Sequence, residues 1–429
     1  MIIELEDKLT ASIHLSNLQD QINAVPQSDF QRKLFFTICF GHIIHIFDSC
    51  IAMFVYDNPL ILLIYFACYT VGQLAALNKY VQRYQFYCQI FQIVLICVLY
   101  MEMQQDIIVL IAFIIKSLIN GYMNQGLQMI RFQLIKISVN VGYLITIVFS
   151  LIGLVCKRFE YSLFRFICVA EFCLIVIFLK QFSHLPPLME ECLDNEFDIY
   201  IKYIEKCAES NSVLNYEEYK NSNEQISIIQ TFQVKVHRPT LRKLFTKLSK
   251  INEQIYKYFI CSTLQGFLFY SNLTYLKYFN SDNSNKYIDI MLLSFFGALS
   301  KPFYQFMTGL YTQKQVYQIS CKFTVILESI CIISQLLKLS YIYFQSDLML
   351  LIASLIQGVF HYNITTDISS DYRTMILGLS QVCRHLGGMF MAYSVYDFLH
   401  EQLWEFLFVQ LIVAQIMLCY FGFQTKIQF

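Results

Sequence analysis

The chain alternates apolar runs of about 20 residues with short polar segments, and about 20 residues is the length a helix needs to cross the hydrocarbon core of a bilayer. Lipid offers no water to satisfy backbone N–H and C=O groups, so a spanning run of this length has to bond internally as a helix. Twelve runs of this kind can be marked: 34–56, 58–77, 86–102, 106–126, 138–156, 162–181, 254–277, 288–308, 318–338, 345–366, 376–397 and 402–422. Composition agrees, because only 14% of the 429 residues are charged and 56% are hydrophobic. Soluble domains carry about 25% charged residues. Mean hydropathy is +0.49. The expected class is an all-α polytopic membrane protein in contact with the lipid bilayer. Formal net charge is zero, so nothing points to a nucleic-acid partner.

The long gap, 182–253, separates six runs from six. The predicted organisation is a tail (1–33), a first set of six helices (34–181), a central loop (182–253), a second set of six (254–422) and a short C-terminal tail (423–429). With the N-terminus inside, the inner segments hold about 19 Lys and Arg residues and the outer loops about 5. Cationic residues stay on the cytoplasmic side during insertion, so both termini are predicted to be cytoplasmic. Residues 1–33 are mildly acidic and lack the apolar core of a secretory signal peptide. The central loop is acidic over 190–224 and basic over 234–250 (VKVHRPTLRKLFTKLSK), a positive patch suited to anionic lipid headgroups or to a regulatory partner. The 15 cysteines are scattered, mostly within apolar runs and without paired spacing, and read as small buried hydrophobes. Two sequons, at Asn272 and Asn363, fall inside predicted spans and should stay unglycosylated.

The two sets of six echo each other. NKYVQRYQ (78–85) follows the second run and QKQVYQIS (313–320) follows the eighth. Each puts Lys (Lys79, Lys314) two residues before Val (Val81, Val316) in a predicted short inner loop. Arg131 follows the fourth run and Arg373 the tenth. Repeats of this kind are a mark of secondary transporters.

NKYVQR is similar to the D-R-x-G-R-[RK] loop of the major facilitator superfamily. Asn78 stands for the Asp, Lys79 for the first Arg, Val81 for the Gly and Gln82 for an Arg, while Arg83 matches. Residues 361–393, HYNITTDISSDYRTMILGLSQVCRHLGGMFMAY, resemble the Y-T-x-E-L-[FY]-P-T-x-x-R-x-x-x-L-G-L…R-x-G-G pattern of its sugar and organic-ion branch. Asp367 takes the place of the acid, one residue closer to Arg373 than usual. Leu377-Gly378 and Gly387-Gly388 match, and Arg384 is one residue early, with His385 where the Arg usually sits. LPPLMEECLDNEFDIYIKYIEKCAESN resembles the E-S-P-R-[WF]-L segment after the sixth span. HRPTLRKLFTKLSKINEQIYKYF resembles the basic run leading into the seventh span, and Lys116 with LINGYMNQG the fourth-span Arg motif. The resemblance covers nearly the whole chain. It implies the major facilitator fold: twelve transmembrane helices in two pseudo-symmetric six-helix bundles around a midplane cavity, working by alternating access. It also implies a cytoplasmic gate at Asn78, Lys79, Arg83, Arg131, Lys314, Asp367, Arg373 and Arg384.

A charge at mid-bilayer costs about 2.5–3.5 kcal/mol on insertion scales, so intramembrane ionisable residues usually face a wet cavity or a partner. Asp48, Lys116, Glu171, Lys301 and Glu328 lie deepest, with His42, His45 and His361. His42, His45 and Asp48 share one helix face. Asp48 is a candidate proton- or cation-binding carboxylate, or else a structural partner between spans, and a histidine nearby can share its proton. Lys116 has two candidate partners, Asp48 and Glu171, or attracts an anionic substrate. Lys301 precedes Pro302, where the eighth helix can kink. Glu328 suits ion pairing or coupling. Gln265 and Tyr270 in the seventh run join the candidate substrate-binding set with His42, His45, Asp48, Lys116, Glu171, Glu328 and His361. Phe267, Phe269, Tyr270, Tyr275 and Tyr278 either stack on a ligand or simply pack.

No nucleophile–base set, P-loop or Gly-rich phosphate cradle appears, so neither an ATP-driven pump nor an enzyme is expected. No cofactor and no metal are expected either. The functional expectation is a monomeric secondary-active or facilitative transporter of a small polar organic solute, an organic ion or a sugar, with protons as a candidate coupling ion through Asp48. The alternative is a transport-inactive protein of the same fold, serving as a receptor-like or structural membrane subunit.

Overall fold

The computed structural model describes residues 29–50, 59–78, 82–101, 106–134, 141–158, 163–181 and 373–401, with scattered positions between 256 and 326 and Val413. Seven helices are complete within these: α1 (Asp29–Cys50), α2 (Pro59–Asn78), α3 (Gln82–Tyr100), α4 (Asp106–Leu134), α5 (Val141–Arg158), α6 (Leu163–Gln181) and α7 (Arg373–Glu401), which carries the eleventh apolar run. The central loop, the tenth and twelfth runs as units, and the tails before Asp29 and after Val413 lie outside the described residues.

Local chemistry explains the helix ends. Pro59 opens α2, where its missing N–H costs nothing. Asp106 opens α4 and Lys180 sits in the last turn of α6, each matched to the sign of the helix dipole there. Inside the apolar helices, hydroxyls bond back one turn: Thr37 to the Lys33 carbonyl, Ser117 to Phe113 and Ser394 to Phe390. This satisfies a polar group where no water reaches it.

Three expected loops are shorter than the sequence suggested. α4 runs to Leu134 and carries Arg131 in its last turn, not in a loop after residue 126. α3 starts at Gln82, so Arg83 stands in its first turn. In the later segment Thr312 and Gln315 cap a helix reciprocally. The Thr312 amide donates to Gln315 Oε1 at 3.0 Å and the Gln315 amide to Thr312 Oγ1 at 3.4 Å. This capping box restarts the helix by Gln315, inside the stretch expected to be loop. In each case polar residues that read as loop by hydropathy are the capped or charged ends of helices.

The helices are arranged with their apolar faces outward. On α3, Tyr84, Tyr87, Phe91 and Val94 are exposed while Gln85, Gln89 and Gln92 are fully buried. On α6, Val169, Phe172, Val176 and Ile177 face out and Glu171 is buried. On both helices apolar side chains face out and the polar ones face in, which suits a lipid surround, while Tyr65, Phe66, Phe178 and Ile38 keep much of the interior apolar. By length and hydropathy two described segments, Pro59–Asn78 and Ile107–Ile130, can cross a membrane, and Tyr84–Tyr100 is apolar but shorter.

α2 packs most extensively on α4, and next on α7. Glycines set the α2–α4 spacing. A Cβ on Gly72 would fall on the Leu118 carbonyl oxygen and, at 2.8 Å, on the Tyr122 amide. One on Gly121 would fall on the Tyr69 backbone. Small residues permit this backbone approach, the main source of helix association where lipid is as apolar as the helix surface. Gly121→Leu is therefore expected to force the two helices apart. Its cost should exceed the roughly 1–3 kcal/mol of ordinary overpacking, because backbone cannot rotate away. Monodispersity on size-exclusion chromatography should be lost in Gly121→Leu and kept in a leucine substitution at Gly309, beside which nothing among the described residues lies within 4 Å.

Candidate functional site: a polar seam on α4

α4 places Lys116, Asn120 and Asn124 at intervals of four, one above another on one face. α1 runs antiparallel beside it. His42 Nδ1 meets Asn124 Oδ1 at 2.7 Å, and His45 Nδ1 meets Asn120 Oδ1 at 3.0 Å. An amide oxygen only accepts, so each imidazole donates from Nδ1. Asn120 Oδ1 also accepts from Gln92 Nε2 of α3. One residue thus ties three helices. Asn124 Nδ2 donates to the Tyr69 hydroxyl of α2. One turn from Asn120, Lys116 Nζ bonds Glu171 Oε1 of α6 at 2.7 Å, and both side chains are almost fully buried. A neighbouring stripe carries Gln125, which accepts from Gln73 of α2 at 3.1 Å.

The seam reaches the C-terminal part of the chain through α2. Tyr69 lies against His385 of α7, ring centroids 4.7 Å apart, and Phe66 lies edge-on to Tyr270 at 4.6 Å. Tyr270 is itself 6.1 Å from His385. His385 donates from Nδ1 to the Gln381 carbonyl one turn back. Close approach along this contact again depends on glycine. Leu77 packs on Gly378 and Phe66 on Gly388, and Gly266 meets the backbone of Arg384.

Of the residues singled out from sequence, the structure brings His42, His45, Lys116 and Glu171 into this seam, and Tyr270 to its α7 side. Of the two partners open to Lys116, it bonds Glu171. Asn78 is exposed at the end of α2, and Arg384 is half-buried on α7. Asp48 lies on α1, Arg83 on α3, Arg131 on α4 and Arg373 at the start of α7, and their side chains are outside the described residues. So are Lys79, Gln265, Lys301, Lys314, Glu328, His361 and Asp367, and Phe269, Tyr275 and Tyr278 of the aromatic set. The carboxamides Gln73, Gln85, Gln89, Gln92, Asn120, Asn124 and Gln125 were missed as a group, together with Tyr69. Their signal was present in spacing: glutamines at 85, 89 and 92 recur with helical period in an otherwise apolar run.

No protein-family model matches the sequence, and no curated protein does. Solved structures match the fold over nearly the whole chain. The peptide transporter POT aligns with a TM-score of 0.58 and 11% identity, over 95% of this chain and 97% of its own. The proton:xylose symporter XylE aligns with a TM-score of 0.58 and 11% identity, over 95% of each chain. The human organic anion transporter MFSD10 aligns with a TM-score of 0.52 and 10% identity, over 91% of this chain and 99% of its own. The chain has the major facilitator fold. At such low identity the likeness is one of backbone architecture. At the α2–α7 contact, segments far apart in the sequence meet through Tyr69 and His385, and α5 likewise meets Tyr287 beside Gly153.

Proposed function

We propose that this protein is a secondary-active or facilitative transporter of a small polar organic solute. Twelve membrane-spanning helices in two six-helix bundles, both termini cytoplasmic, would expose a midplane site alternately to each side. The observation that carries the reading is the seam of buried His42, His45, Lys116 and Asn120, continued by half-buried Asn124, in a chain of facilitator fold whose outward faces are apolar. Polar groups at membrane depth are costly and persist where they serve a pathway or a partner. Three of the similar structures bear names of transporters of peptide, xylose and organic anion, which supports a polar organic cargo, while a fourth is named as a bacterial homologue of the iron transporter ferroportin. The Lys116–Glu171 pair leaves no net charge between these two groups, so a solute bound beside it need carry no charge of its own.

Uptake by proteoliposomes, screened against organic cations, organic anions, hexoses and short peptides, tests the reading. Saturable uptake of one class is expected. Failure of all four, with a detergent-stable complex on co-purification, would instead favour a receptor-like or structural membrane subunit. Proton coupling through Asp48 belongs to the same proposal. Wild-type uptake should rise with an inward proton gradient and Asp48→Asn should abolish that rise; equal, pH-independent uptake in both would remove Asp48 from the mechanism.

A further inference from the structure

We infer that α3, α4 and α6 enclose an internal hydration site, holding water against Gln89, Gln92, Asn120 and Glu171, within the first six helices. The inference holds whatever solute is carried. Gln92 Nε2 and His45 Nδ1 both use Asn120 Oδ1, which leaves Asn120 Nδ2 and Gln92 Oε1 over. Glu171 gives Oε1 to Lys116 and leaves Oε2 over. Gln89 stands one turn from Gln92 on the same face of α3, fully buried, and neither of its amide atoms has a hydrogen-bond partner among the described residues.

These five atoms are two donors, Asn120 Nδ2 and Gln89 Nε2, and three acceptors, Gln92 Oε1, Gln89 Oε1 and Glu171 Oε2. They belong to three helices joined by the Gln92–Asn120 and Lys116–Glu171 bonds. Leaving them bare in a water-free interior is expensive. Folding alone gives no reason for an apolar span to carry such a set. Water is the ligand that fits. It donates and accepts, typically makes about three bonds in buried sites and carries no charge. A bound ion would add a net charge beside the Lys116–Glu171 pair, whose own charges already cancel. Water held here contacts the pair directly and reaches His45 through Asn120.

The sign of a stability change tests this. Gln89→Met keeps length and flexibility while deleting both polar atoms. If Gln89 is bare, methionine relieves a penalty and the unfolding midpoint in lipid nanodiscs rises. If Gln89 holds water, the midpoint falls by ~2 °C or more. The fall is the expected result and a rise overturns the inference. Hydroxyl-radical footprinting guards against a fall caused by misfit alone, because radicals formed from bound water label adjacent buried side chains. Met123, fully buried and three residues from Asn120 on α4, should be labelled in the wild type and lose the label in Gln89→Met. An unlabelled Met123 in the wild type would overturn the inference as surely as a raised midpoint.

Discussion

Glu171→Leu alone is expected to destabilise the protein by about 3–5 kcal/mol, the usual consequence of stranding one partner of a buried ion pair. Lys116 and Glu171 meet at 2.7 Å with side chains only 3% and 1% exposed. Removing the carboxylate leaves a buried ammonium on α4 with its strongest partner gone. Lys116→Met should cost a similar amount by stranding Glu171 instead. The double variant, Lys116→Met with Glu171→Leu, should recover most of the loss, since two apolar groups of similar volume replace two compensated charges. Thermal unfolding of the detergent-purified protein reads all three. A double variant as unstable as the sum of the singles would mean that the two residues are not coupled. If the pair also shapes the solute site, the stable double variant should fold and yet transport poorly, which separates its two roles.

The second large effect is expected at Asn120. Its side-chain oxygen accepts from Gln92 on α3 and from His45 on α1. Asn120→Leu keeps the branched shape and removes the acceptor that both donors share. Each buried group left without a partner costs about 1–3 kcal/mol, so this change should exceed loss of either contributor alone. Gln92→Leu added to Asn120→Leu should cost less than Gln92→Leu in the wild type, because its partner has already gone. Additive effects would argue that the Gln92–Asn120 contact carries no energy. Spectroscopically, the His45 imidazole should lose its preference for the Nδ1–H tautomer in Asn120→Leu, a change visible in nitrogen chemical shifts and independent of stability.

Much of the architecture could be read before any coordinates. The apolar run 58–77 became α2, shifted by a single residue, because Pro59 and Asn78 bound it chemically as well as by hydropathy. Helix ends in charged or polar stretches were harder. Gln82 and Arg83 looked like loop yet form the first turn of α3, since a polar residue at a membrane boundary serves a helix end and a loop equally well. The ionisable residues His42, His45, Lys116 and Glu171 announced themselves as costly in lipid. The carboxamides that bind them did not, because a neutral Gln or Asn is a weaker signal than a charge. Yet Asn120, not any charged group, is the point at which α1, α3 and α4 converge.

Hydropathy, charge bias and a few glycine and arginine motifs were enough to reach helices, a lipid surround and the facilitator architecture, because each depends on what a single segment costs in water or lipid. Partner choice is another kind of quantity. That Lys116 bonds Glu171, that Gly72 and Gly121 bring α2 against α4, and that Tyr69 meets His385 more than 300 residues away are facts about neighbours. Helical period tells which residues share a face, but the identity of the facing helix emerges only when whole surfaces compete for contact in the packed bundle.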